Sequence, residues 1–105
     1  MIKIKSEEQF DNLQKGNDEP IILFMTTPMC GTCQLARNFL LVLEKVDNVP
    51  PIYEVDVNYF KSYANSWEIE SVPCLLYILG NSITKLYAFE SVTKIYQFIQ
   101  DSAKG

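Results

Sequence analysis

The chain has 105 residues, 48% of them apolar and 21% charged, and a net charge of −4. That length and balance suit one folded domain, residues 1–105, with a core that needs no metal or disulfide staple. Nine basic residues, scattered singly, exclude a nucleic-acid face, and the absence of histidine excludes Cys/His zinc patterns and Cys–His nucleophile pairs.

Ile2 and Ile4 alternate with Lys3 and Lys5, the period of a short half-buried strand. Ser6-Glu7-Glu8-Gln9 has the form of a capping box and opens a helix. Phe10 and Leu13 share one face of that helix, and Gly16 is its expected stop. Ile21 to Met25 is an uninterrupted apolar run, read as a strand buried on both faces. A helix is expected from about Cys30 or Gly31 to Val46, with Leu35, Phe39, Val42, Leu43 and Val46 as its buried stripe. Arg37 falls largely outside that stripe and reads as a surface charge without a role.

Ile52 to Val57 is the next strand, and Asn58 is expected to cap a short helix running to Asn65 or Ser66. The spacing of Tyr59, Phe60, Tyr63 and Trp67 predicts packing, not a ligand surface. Cys74 to Leu79 is a further strand, Gly80-Asn81 a hairpin turn, and Ser82 to Phe89 its return. Ser91 then caps a last helix with Val92, Ile95, Tyr96, Phe98 and Ile99 toward the core. Such alternation describes an α/β domain with helices on both sheet faces.

Cys30 and Cys33 lie where the apolar strand gives way to the second helix. A helix N-terminus carries unpaired N–H groups and a partial positive charge, so a thiolate there is stabilised, and the thiolate is the reactive species. Cys33, nearly one turn on, is within reach for a small disulfide ring, which makes the pair a candidate two-electron switch. Two incidental core cysteines, or part of a metal site, are the competing readings. A tetrahedral zinc needs four ligands, and one further cysteine is all the chain offers, so a metal would have to be shared between two chains. Cys74, opening an apolar strand, reads as a small buried hydrophobe.

Three cysteines do not form a secreted disulfide framework. The first eight residues lack the apolar core of a signal peptide, and Cys74 to Leu79 is too short to span a bilayer. The expectation is a cytoplasmic protein without membrane or nucleic-acid partners.

With Cys30-Gly31-Thr32-Cys33 after the second strand, and Ser71-Val72-Pro73 about forty residues later, the chain resembles the thioredoxin family along essentially its whole length. The resemblance implies a thioredoxin fold, a central mixed sheet of about five strands flanked by four helices. It implies Cys30 as the attacking nucleophile and Cys33 as the resolving thiol. Met29, Gly31 and Thr32 would occupy the tuning positions, and Val72 with a cis Pro73 would bind substrate. Disulfide-bearing proteins or small thiols are the implied substrates. A reductase or low-molecular-weight thiol would recycle the pair, in a monomer holding neither metal nor cofactor. The alternative is a thioredoxin-fold adaptor that binds a protein through the Val72-Pro73 surface with little turnover.

Several positions depart from the family pattern. Met29 stands in place of an exposed tryptophan, Thr32 of a proline and Gln34 of a lysine. Phe24 occupies the place of a buried aspartate and Ile52 that of its lysine partner, so the buried acid is expected to be missing and turnover slow. Thr32 points to a midpoint potential above the roughly −270 mV of thioredoxin. Glu70 and Phe89 replace a basic residue and a glycine near the substrate surface, which suggests other partners.

Overall fold

In the computed structural model, which describes residues 1–105, the N-terminal alternation forms β1 (Ile2–Ile4), with Ile4 buried and Ile2 exposed. Ser6 caps α1 (Glu7–Gln14), its side chain accepting from the Gln9 N–H. The Gln9 side chain reaches back to the N–H of Lys5, one residue earlier than a standard capping box would place it. Gly16 takes the left-handed conformation (φ 67°) that ends the turn after α1.

β2 (Ile21–Thr26) is buried at every position and is the central strand of the sheet. Next come α2 (Gly31–Leu43), β3 (Ile52–Asp56), a 3₁₀ turn (Val57–Tyr59) and α3 (Lys61–Ser66). β4 (Cys74–Leu79), β5 (Ser82–Leu86) and α4 (Val92–Ala103) complete the chain. Strand order is β1-β3-β2-β4-β5, with β1, β3 and β2 parallel and the β4–β5 hairpin antiparallel. This mixed five-stranded sheet with four helices is the thioredoxin fold. No helix is long and apolar enough to cross a membrane.

Alternation along the strands divides the interior into two cores. Leu23, Met25, Val55, Cys74 and Leu76 pack with Phe10 and Phe60 on the α1/α3 face. Ile22, Phe24, Ile52 and Leu75 pack with Ala36, Leu40, Leu43, Ile95 and Ile99 on the α2/α4 face. Phe10 is the hub of the first core, its ring edge-on to Phe60, Tyr63 and Trp67 at 5.1–5.7 Å between centroids.

Three local expectations are corrected. The buried stripe of α2 is Cys33, Ala36, Leu40 and Leu43, whereas Leu35, Val42 and Val46 are exposed and Phe39 is half-buried. The larger apolar residues drew the predicted stripe toward themselves, but the small Ala36 and Cys33 are what let α2 approach the sheet. The helix also ends at Leu43, short of Val46. Asp56, not Asn58, is the cap after β3, and it caps the 3₁₀ turn, leaving Tyr59 exposed outside the aromatic cluster.

Candidate active site

Pro28 and Met29 carry the chain from the end of β2 to the start of α2, and Met29 is 96% exposed. Cys30 is the N-cap of α2: its Sγ accepts from the Cys33 N–H at 3.1 Å, where a serine or aspartate oxygen ordinarily sits. The same sulfur lies 3.4 Å from the Thr32 hydroxyl. Cys30 and Cys33 are at disulfide distance, with Cα atoms 5.2 Å apart. Cys30 is partly exposed and Cys33 is sealed at 1%. A Cβ added at Gly31 would meet nothing, so that exposed position is open to larger side chains.

Register brings the second segment alongside. Cys74 pairs with Met25, which sets Pro73 at the sheet end where the chain leaves β2 for the Cys30 loop. The Val72–Pro73 peptide is cis, and both residues are partly buried. Cys74 itself points into the α1/α3 core, across the sheet from α2, and is fully buried. Burial pushes its thiol up to about 11.

Beneath α2 the structure corrects the view of Arg37 as a charge without a role and of the site as lacking a buried acid. The β3 neighbour of Phe24 is Glu54, and Ile52 pairs with Ile22 instead. Glu54 is buried on the α2 side of the sheet, and Arg37 from α2 meets it through Nε, at 3.2 and 3.4 Å, and through a closer guanidinium nitrogen. The Arg37 guanidinium also lies 6.0 Å from the centre of the Phe24 ring and donates to the Gln34 side chain at 2.8 Å. Hydrogen bonding to Glu54 raises the Arg37 pKa still further, with burial opposing. The Thr26 hydroxyl also donates to Glu54, at 3.5 Å. A usable signal was present: Glu54 shares the strand parity of Ile52, so a charge fell on a core-facing position.

A cavity of about 470 Å³ opens beside these groups, lined by Cys30 together with Lys3, Lys5, Arg37, Glu54 and Asp56 among others. No group of three or more acidic or cysteine side chains is placed to hold a metal ion. Phe89 is half-buried and packs against Phe24 at 5.8 Å between ring centres, so its bulk serves the α2/α4 core.

The sequence matches the family model described as Thioredoxin over residues 1–101. The chain belongs to the thioredoxin family. It is 36% identical to the thioredoxin-like protein YusE of Bacillus subtilis (strain 168), over 99% of this chain and 96% of that one. It is 37% identical to a thioredoxin H-type of Ricinus communis, over 70% of this chain and 64% of that protein. Among solved structures, chloroplastic thioredoxin z covers the whole chain and 96% of its own, with a TM-score of 0.79 and 23% identity. Malassezia sympodialis thioredoxin superposes with a TM-score of 0.81 at 17% identity, over 95% of this chain and 90% of its own. At those identities the two structures speak for the fold alone. Family membership and a CxxC pair at disulfide distance together support a thiol–disulfide oxidoreductase role.

Proposed function

We propose that the protein reduces protein or low-molecular-weight disulfides through reversible opening and closing of the Cys30–Cys33 bond. The observation that carries this reading is the unequal burial of the two sulfurs at the tip of α2. Reduced Cys30, open to solvent and supported by the helix N-terminus and the Cys33 N–H, attacks the substrate disulfide. A mixed disulfide forms on Cys30, and one substrate sulfur leaves as a thiolate that takes up a proton. The Cys33 thiolate then attacks Cys30 Sγ, releases the second substrate thiol and closes the ring. Val72 and cis Pro73 border the site and are proposed to hold the substrate backbone, with Met29 as an exposed flank.

A reductase or a small thiol restores the dithiol, and the reducing cytoplasm is the compartment proposed, on the odd and sparse cysteine content. A monomer is proposed. Turnover is proposed to be slower than in standard thioredoxins, since Phe24 brings no carboxyl group to its place and Glu54 is engaged by Arg37.

Reduction of insulin disulfides with a thiol donor tests the reading. Cys30→Ser should abolish turnover, and Cys33→Ser should accumulate mixed disulfides that a reductant releases. Background rates for the unaltered chain would leave the adaptor reading in its place.

A further inference from the structure

We propose that the cavity beside Cys30 binds a small anionic thiol, one carrying a carboxylate, which attacks Cys30 and so recycles the disulfide. This rests on the proposed reversibility of the Cys30–Cys33 pair and names the chemical class of its reductant. At about 470 Å³ the cavity falls within the size range of small-molecule sites and is far too small for a folded protein.

Its charges are unequally committed. Glu54 is neutralised by Arg37 and accepts from Thr26. Asp56 accepts from both the backbone and the side-chain amide of Asn58. Lys3, Lys5 and Asp56 take part in none of the three ion pairs of the molecule, so in the cavity lining two ammonium groups stand against one unpaired carboxylate. Lys3 is the register partner of Glu54 on β1, so its side chain rises on the α2 face of the sheet, toward the cavity. With Glu54 and Arg37 cancelling, the lining that holds Cys30 keeps a positive balance in a chain whose net charge is −4. A carboxylate is the group the two ammonium groups fit, and a thiolate is a nucleophile that a disulfide sulfur exchanges with.

Cys30 lines the cavity and Cys33 does not, so a thiol held there meets Cys30. Displacement at sulfur requires the incoming thiolate opposite the leaving sulfur. A thiolate arriving from the cavity attacks Cys30 Sγ, the S–S electron pair passes to Cys33 Sγ, and Cys33 takes up a proton. A second thiolate attacks the small-molecule sulfur of the mixed disulfide and expels Cys30 as a thiolate. Two thiols are thus oxidised to one disulfide, and Cys30–Cys33 is reduced to the dithiol.

The test measures reduction of the oxidised full-length protein by quenching, alkylation and mass measurement. Three monothiols of different charge serve as probes: glutathione (anionic), 2-mercaptoethanol (neutral) and cysteamine (cationic). Lys3→Gln/Lys5→Gln should slow glutathione roughly threefold to tenfold and leave mercaptoethanol within about a factor of two. Cysteamine should be unaffected or faster, and salt at about 1 M should remove most of the glutathione difference. Unchanged glutathione rates, or an equal loss for glutathione and mercaptoethanol, would overturn the site. A single variant, Lys5→Gln, lying just beyond β1, gives the same comparison should the double variant fold poorly. Inertness of the disulfide toward all three thiols and dithiothreitol would instead remove the reversible pair, and this proposal with it.

Discussion

Arg37 on α2 and Glu54 on β3 form an ion pair between helix and sheet, one turn beyond the buried cysteine. The carboxylate is nearly sealed, at 8% side-chain exposure, whereas the guanidinium is 28% exposed. Removing the arginine therefore leaves a buried charge with only Thr26 as partner, while removing the charge of the acid leaves a cation that water can reach.

Arg37→Ala is expected to destabilise the fold by about 2 kcal/mol, less than loss of a wholly enclosed pair because solvent reaches the guanidinium. Glu54→Gln should cost about 1 kcal/mol or less, and adding it to Arg37→Ala should recover part of that loss. Urea unfolding of the four proteins in the cycle measures this. Additive losses would mean that the two groups do not stabilise each other.

Phe10→Ala should cost about 3–5 kcal/mol, since the ring is fully buried and meets three aromatic neighbours edge-on. Tyr59→Ala, from a side chain 66% exposed, should change stability by no more than about 0.5 kcal/mol. Thermal or urea unfolding of the two variants provides the contrast.

Alkaline pH should loosen the fold through Cys74. Burial favours the neutral thiol and raises its folded pKa from 9.0 to about 11. Between those values the unfolded chain releases a proton that the folded chain keeps. The contribution of Cys74 is therefore intact below pH 9.0 and falls away as pH rises toward about 11. Tyr63, raised from 10.0 to about 12 by burial and then by its hydrogen bond to Asp11, extends the decline upward. Unfolding free energies measured across this range should fall with pH, and less steeply in Cys74→Ala. At pH 8, iodoacetamide should label reduced Cys30 in the native protein and spare Cys74.

The midpoint potential should lie above about −270 mV. The Thr32 hydroxyl, 3.4 Å from Cys30 Sγ, is placed to donate to the thiolate and so favour the dithiol. Thr32→Val is then expected to lower the potential by about 20–30 mV. Equilibration in graded thiol–disulfide buffers, followed by alkylation and mass measurement, gives the value. A single two-electron transition without Cys74 is the expected form.

The order of elements was legible because each carries its own period: alternation at Ile2 to Lys5, a closed apolar run at Ile21 to Met25, and serine caps at Ser6 and Ser91. The cysteine pair was legible because spacing and a strand–helix junction are local properties. What escaped was what depends on close approach between elements. Ala36 contributes little to an apolar pattern, yet it lies against the sheet where Leu35 does not. Glu54 and Arg37 are seventeen residues apart, and only the register of β3 beside β2 makes them neighbours. Ile52 and Glu54 lie two residues apart on β3 and so share strand parity, and alternation alone does not tell which of them sits beside Phe24.

The unequal sealing of the two sulfurs has a consequence for regiochemistry. A ring with one atom accessible and the other walled in admits an attacker at a single centre, whatever the attacker's size or sequence. In the proposed cycle every covalent adduct is then the same positional isomer, joined through Cys30 and never through Cys33. Handedness of traffic at this bond is thus imposed by side-chain packing under α2, without any need for the two sulfurs to differ in intrinsic reactivity.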